Sequence, residues 1–458
     1  MTRRQKRDIL CSMKLSDLKK PNNWLSALGL VTLSACYVIW LLRRGGIAPL
    51  PLTLSLLSAG CFAWVGLRTV PEWVGFWSDS GEDPLAPEET EPRYMDLRIF
   101  GCFLLADLCY LGLTILIRRL FGQETPMSFW LCADSLHYQQ IAQDWYLSEG
   151  IRDRVVQLVF LPGYPVVLRL LHLLIPDYTL AGLTVSALSF AGGGCVFYRL
   201  LRLDYNRSIS LRALRFLCMM PGAVFFAMPM SESLFFLLSV SCLYAARRER
   251  WLLAGLLGAY AAFTRSLGLA LVVPLFAEWI HEYRRIPHPR RISGGVSVLL
   301  VPMGFAAYCY INYLVSGNPF QYLEYQSVHW HQNLGFFFST AAYQTDYALS
   351  AARSQDLPSL LGLWLPNLIC ALISLPLVAL ASRKLRASWL LWFMAYYIIA
   401  IGPTWLLSAP RYLLALPPLP LAMALFCRDS RRNQALSLLL GDFSFFYLIA
   451  FSLRWQVW

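Results

Sequence analysis

Long apolar runs alternate with short polar breaks along this chain, and most of the runs approach the roughly 20 residues that a bilayer-crossing helix needs. They lie at Trp24 to Leu42, Ala48 to Val70, Leu97 to Ile117, Tyr178 to Tyr198, Leu211 to Pro229, Leu234 to Ala246, Ile292 to Leu314, Ser359 to Ala381, Ala387 to Leu407, Arg411 to Cys427 and Ala435 to Leu453. The run from Trp251 to Trp279 is apolar except for Thr264-Arg265-Ser266, which predicts two short helices meeting at the arginine. The pattern therefore predicts an all-α polytopic membrane protein, a bundle of about thirteen transmembrane helices.

One apolar stretch does not fit. Val159 to Ile175 has two prolines, a glycine, Arg169 and His172. A proline inside a helix costs about 3 kcal/mol, and an arginine at mid-bilayer at least about 2.5 kcal/mol. This predicts a juxtamembrane or re-entrant piece rather than a span. With that segment left out, 26 of the 39 Lys and Arg fall on one side of the membrane and 11 on the other. That is the asymmetry of a cytoplasmic face, and counting the segment as a span would scramble it. The polar stretch around Asp134 then faces the extracytoplasmic side.

That stretch carries Asp134, His137, Asp144, Glu149 and Asp153. From Asp134 onward, Tyr138, Ile141, Ala142, Trp145 and Tyr146 recur at helical spacing, opposite Gln139, Gln140, Gln143 and Asp144. The spacing predicts an amphipathic helix lying on the membrane surface. Asp134 opens it, where the positive end of the helix favours a carboxylate.

Composition agrees with the pattern. The chain is 57% hydrophobic and only 14% charged, against about 25% charged in soluble proteins, and its mean hydropathy is +0.50. A net charge of +12 is then the mark of cytoplasmic loops, not of a nucleic-acid partner. Cys36, Cys61, Cys102, Cys109, Cys195, Cys218, Cys242, Cys309 and Cys370 lie inside apolar segments and only Cys132 in an outer loop, so neither a disulfide framework nor a CxxC metal spacing follows. The first twenty residues are basic and polar without an apolar core, so no cleavable signal peptide is expected. Residues 1–23 form a basic cytoplasmic N-terminus. Residues 24–96 hold two accessory helices and an acidic, proline-rich cytoplasmic linker from Pro71 to Pro92. Residues 97–458 form the main membrane domain, with outer loops at 118–177 and 315–358. The one Asn-x-Ser/Thr sequon, at Asn206, falls on the cytoplasmic side. This favours a bacterial plasma membrane, with the endoplasmic reticulum as the eukaryotic alternative.

Further polar features fall on the same outer face. Glu232 tips a tight helical hairpin, Arg265 sits at a helix break, Pro410-Arg411-Tyr412 opens a late span, and an outer loop carries His329-Trp330-His331. Charges at membrane depth are costly and suggest a site. The alternatives are arginines snorkelling to lipid phosphate and, for Glu232, a hairpin cap. His329 and His331 have the spacing of a metal pair, but no further ligand is placed with them.

Five motifs, taken together, resemble a known family. ADSLHYQQIA is similar to the WD(A/S)xHY-type segment in the first outer loop of the PIG-V-type GPI mannosyltransferases and their bacterial relatives. FLPGYPVVLRLL resembles their FFPxYPLLxRxL segment, SESLFFLLS their SESLF hairpin, FTRSLGLAL their TRSNGLLL, and APRYLLALPPLP their RY-containing late helix. Three features depart from the family: Ala133 replaces an aromatic residue, TRSLG replaces TRSNG, and two extra helices precede the core. The resemblance implies a GT-C fold over residues 97–458 and transfer of a hexose, mannose in this family. The donor would be a polyprenyl-phosphate sugar and the acceptor a glycan or glycolipid at the outer face. It implies Asp134 as the catalytic residue; the side chains expected to bind substrate are His137, Tyr138, Tyr164, Arg169, Glu232, Arg265, Arg411 and Tyr412.

The residues themselves support the same chemistry. Asp134 is a candidate general base, and Arg265 and Arg411 are candidate phosphate ligands through their paired donors. No DxD occurs near Asp134, so neither a divalent metal nor another cofactor is expected. The rival class is a lipid or glycolipid transporter or flippase. Such proteins are often built from inverted repeats around a mid-bilayer site; this chain has no repeat, and its polar motifs gather at one face.

Overall fold

The computed structural model describes residues 47–77, 91–146, 156–283, 285–333, 339–404 and 406–457, with residue 335 and scattered positions before 47. All regular structure among them is helical. The first half of the chain gives α1 (Pro49–Trp77), α2 (Met95–Leu120), α3 (Ser135–Asp144), α4 (Gly163–His172), α5 (Tyr178–Leu201), α6 (Arg207–Cys218), α7 (Val224–Ala227), α8 (Glu232–Arg247) and α9 (Trp251–Thr264). There follow α10 (Val272–Glu282), α11 (His288–Ser316), α12 (Gln321–Trp330), α13 (Ser339–Arg353), α14 (Leu365–Ala381), α15 (Ala387–Ile401), α16 (Ala409–Leu414), α17 (Pro418–Phe426) and α18 (Ser430–Ser452).

Among the described residues, six stretches are long and apolar enough to cross a membrane: Pro49–Leu67, Met95–Leu120, Tyr178–Leu201, His288–Ser316, Leu357–Lys384 and Ser430–Ser452. Of the other expected spans, α9 and α15 are shorter apolar helices, α8 is a helix of sixteen residues, and two are broken. In Leu211 to Pro229 the helix stops at Cys218, before Pro221 and Gly222. Gly222 has φ +84°, a conformation open to glycine and strained for other residues. In Arg411 to Cys427 the break comes before Pro417-Pro418, because proline removes the amide a continuing helix would need. Of Trp24 to Leu42, residues 28, 31, 32 and 34–40 are described and are helical; the others lie outside the described residues, as do 78–90 of the acidic linker, Glu149 and Asp153. The linker was expected to begin at Pro71, but α1 runs on to Trp77.

Two expectations about breaks are met. Val159 to Ile175 contains only the ten-residue α4, about 15 Å long and half the hydrocarbon thickness. Its Leu170, Leu173 and Leu174 are exposed, while Tyr164 and Leu168 are buried. Between α9 and α10 the chain is extended at Arg265 and then makes a single 3-10 stretch, Ser266–Leu271. Helices α9 and α11 pack backbone to backbone at Gly304, where a Cβ would fall 1.8 Å from the carbonyl oxygen of Ala259. Small residues permit this approach, which supplies the dispersion that holds membrane helices together.

Helix α8 has an ion-pair network at each end. At its C-terminus Arg247 donates to both oxygens of Asp204, each at 2.8 Å. Next to it the buried Glu278 accepts two bonds from Arg386, both 3.0 Å, and one from Ser388 at 2.5 Å. At the N-terminus Glu232 joins a second network. Sixteen residues separate the two ends, about 24 Å of helix, close to the thickness of a hydrocarbon core. Other contacts respect the same division. Arg118 donates to the carbonyl of Ser452 and Arg454 to that of Phe129 at one end. Tyr205 donates to the carbonyl of Lys384 and Arg215 to Asn433 at the other. Each pair joins segments that the charge pattern assigns to a single side.

Two predictions follow from this arrangement. In a cysteine-free background, Arg353→Cys should react with an impermeant maleimide on intact cells and His288→Cys should not; both positions are exposed. Labelling at 288 would overturn the orientation. Glu278→Ala strands a buried guanidinium and should cost about 3–5 kcal/mol, read as an early thermal transition in detergent. Glu249→Ala, which removes an exposed partner of Arg290, should cost under about 1 kcal/mol.

Candidate active site

Asp134 is set by the turn that precedes it. A 3-10 turn, Met127–Trp130, buries Phe129 and Trp130. Ala133 then adopts φ +44°, a left-handed conformation that L-residues rarely take and that is often found at functional sites. Asp134 precedes α3, but its side chain makes no capping bond to the helix. It accepts a hydrogen bond from Nη2 of Arg411 instead. The predicted apolar stripe is buried at Tyr138, Ile141, Ala142 and Tyr146, with Trp145 half-buried where the helix ends; Gln143 and Asp144 are exposed.

Four charged residues from distant parts of the sequence converge here. Glu232 is the first residue of α8, Arg265 stands at the break after α9, and Arg411 lies in the short α16. Arg411 donates through Nε to Oε1 of Glu232 while its Nη2 bonds Asp134. Arg265 donates through Nη1 to the same Oε1 at 2.6 Å and to Ser231 Oγ at 3.0 Å. Ser231 also shares a 3.0 Å hydrogen bond with the Tyr138 hydroxyl. The guanidinium of Arg265 lies 5.6 Å from the ring centre of Tyr412, and that of Arg411 lies 5.7 Å from Phe225.

Burial decides how these charges should be understood. Glu232 is fully buried, and Arg411 and Arg265 are 4% and 9% exposed. A snorkelling arginine keeps its head in water; these two have theirs on a buried carboxylate. The group of two carboxylates and two guanidiniums is formally neutral, which is how buried charge becomes tolerable. Within it, Glu232 faces both arginines through one oxygen and leaves Oε2 unpaired. The second negative charge comes from Asp134, whose side chain is 27% exposed.

The network borders a cavity of about 220 Å³ that Asp134, Tyr138, Arg265, Arg411 and Tyr412 help to line. Ile399, Ala400 and Leu407 supply an apolar side, and Gln326 and Trp330 of α12, with Gln332, supply another. Glu232 lies beneath the lining, behind the two arginines. The remaining predicted residues stand further back. His137 is half-buried and stacks on Phe160 with ring centres 4.5 Å apart. Burial pushes its imidazole pKa down, opposed by the Asp134 charge. Tyr164 is fully buried, donates to the Gly182 carbonyl at 3.1 Å and packs against Tyr138. Arg169 is exposed on α4 and does not line the cavity; His329 and His331 are also exposed. Among the described residues, no three His, Cys, Asp or Glu side chains gather at one point. Sequence reasoning missed Ser231 as the link between Tyr138 and Arg265, and Gln326 as a wall residue. The first was visible only as part of SES, and the second carried no signal at all.

No protein-family model and no curated relative matches the sequence. The resemblance to PIG-V-type enzymes therefore rests on its five motifs. Among solved structures, the chain is similar to ArnT from Cupriavidus metallidurans, crystallised with undecaprenyl phosphate bound, at 16% identity and a TM-score of 0.43. The alignment covers 74% of this chain and 62% of that one, so the chain spans less than two thirds of that protein's length.

Proposed function

We propose that this chain is a GT-C membrane glycosyltransferase that moves a hexose, mannose by its motifs, from a polyprenyl-phosphate donor to a glycan or glycolipid acceptor. The reaction takes place at the extracytoplasmic face, in a bacterial plasma membrane. The observation that carries this reading is Asp134 at the cavity wall, bonded to an arginine that a buried glutamate holds from behind.

The charge balance suggests how the site works. Asp134 takes the proton of the acceptor hydroxyl as that oxygen attacks the anomeric carbon. The bond from that carbon to the phosphate oxygen breaks, and polyprenyl phosphate leaves with one more negative charge. Protonation removes the negative charge of Asp134 at the moment the phosphate gains one. Arg411 then loses its pairing with Asp134 as a new anion forms beside it. Arg265 and Arg411 can each offer paired donors to that anion. Glu232 is a positioning residue: it fixes both guanidiniums and touches no substrate. The apolar side at Ile399, Ala400 and Leu407 suits the start of the polyprenyl tail.

The first test concerns Asp134. Asp134→Asn keeps the shape and removes the basicity, so it should lose about 100- to 10,000-fold in turnover. It should bind polyprenyl phosphate no more weakly than wild type, because the competing carboxylate is gone. Asp144→Asn, on the exposed face of α3, should be nearly silent. Purified protein in lipid with radiolabelled polyprenyl-phosphate hexose gives the readout, and added chelator should leave the rate unchanged. Retention of more than about a tenth of the activity by Asp134→Asn would place the base elsewhere.

A second test separates phosphate binding from packing. Arg265→Lys and Arg411→Lys keep the charge but lose the fork, and at least one should lose tenfold or more of turnover, by order of magnitude. Wild-type rates in both variants, with normal melting, would remove the arginines from the phosphate.

A further inference from the structure

The wall contributed by α12 has chemistry that neither the charged network nor the apolar side accounts for. Helix α12 contains no fully buried residue; Tyr325 and Trp330 are half-buried against the core, and Gln326 beside them has no place in that packing. Trp330, its last residue, is half-buried and meets Phe160 edge to face with ring centres 5.9 Å apart. Phe160 meets Tyr138 in the same way at 5.8 Å. The Trp330 ring is thus two ring contacts from the residue that reaches the arginine network through Ser231. Gln326 lines the cavity one helical turn before Trp330. Neither Glu324, which accepts a 2.8 Å bond from Gln321, nor the exposed His329, whose ring meets that of Trp330 at 6.0 Å, lines the cavity.

A neutral amide beside an indole is a poor partner for phosphate, which calls for cations, and for a hydrocarbon tail, which has no use for a glutamine. It suits a ring with apolar C–H faces and hydroxyl edges. The indole gives a flat apolar surface with low conformational cost, and an amide both donates and accepts toward adjacent hydroxyls.

Resting on the glycosyltransferase reading above, we propose that Trp330 and Gln326 form the sugar wall of the cavity, holding a hexopyranose ring. The ring stacks on Trp330, its hydroxyls bond Gln326, and the phosphate lies toward Arg265 and Arg411. Because the amide is matched to hydroxyls, this wall selects among hexoses: a sugar lacking the right hydroxyl leaves a polar group unpaired.

The test measures wild type, Trp330→Ala, Trp330→Phe and Gln326→Ala as full-length protein in lipid nanodiscs. Binding is measured to polyprenyl-phosphate hexose, in mannosyl and glucosyl forms, and to polyprenyl phosphate without sugar. The KM for methyl mannoside as acceptor is measured in parallel. The expected result is that the two alanine variants bind the sugar-bearing lipid about tenfold more weakly, bind the bare phosphate unchanged, and that Trp330→Phe keeps most of the affinity. That outcome assigns the wall to the donor sugar. Unchanged donor binding with a tenfold higher acceptor KM, by order of magnitude, supports the sugar wall and assigns it to the acceptor. Equal weakening toward both lipids, or no change in any measurement, overturns the proposal. Wild-type protein that binds neither lipid overturns the glycosyltransferase reading and this one together, a result distinct from failure of the wall alone.

Discussion

The site depends on one fully buried carboxylate. Glu232 holds Arg265 and Arg411 through a single oxygen, and each of these arginines comes from a place where a helix is short or broken. Without that carboxylate, two guanidiniums would face each other in a low-dielectric interior, where repulsion and desolvation act in the same direction. With it, both are fixed at the cavity wall with donors left over. Arg265 stands at the break after α9, and Arg411 lies in the short α16 just before the break that precedes α17.

Much of this was legible in the sequence. Arg265 interrupting an apolar run announced the break between α9 and α10, because a charge there has to be matched or lie at a surface. Proline, glycine and arginine in Val159 to Ile175 announced a helix too short to cross. Asp134, Glu232, Arg265 and Arg411 were identifiable one by one from the cost of placing charge at membrane depth. Their mutual pairing was not, since pairing across the fold leaves no periodic trace. Asp134 and Arg411 are 277 residues apart. The amphipathic pattern of α3 located its buried face but not the partner of the carboxylate that precedes it, which turns to Arg411. Hydropathy also read two segments as continuous helices that Pro221-Gly222 and Pro417-Pro418 interrupt. Averaged apolarity is blind to a missing amide. Tyr164 and Arg169 belong to the same motif, yet one packs behind Tyr138 and the other is exposed, a difference set by helical phase within α4.

The two ends of the bundle solve the same electrostatic problem differently. At the Glu278 end the carboxylate is enclosed by Arg386 and Ser388, and Arg247 is taken up by Asp204, so every charge is matched and no reactive group is left open. At the Glu232 end the last negative charge is contributed by a residue at a cavity wall. The first arrangement is a clamp. The second keeps one of its members, Asp134, partly exposed at the cavity wall.

The spacing of the partners along the chain bears on how the protein is made. Glu232 and Arg265 are 33 residues apart, on either side of the hairpin formed by α8 and α9. As the chain leaves the ribosome, this acid and base enter the bilayer within one hairpin and can neutralise each other there. Arg411 follows 179 residues after Glu232. Until it arrives, Asp134 lacks its partner and the pocket has one cation too few. Completion of the four-membered charge network is thus deferred to the last helices synthesised, and a chain halted before them carries an unmatched negative charge at this end of the bundle.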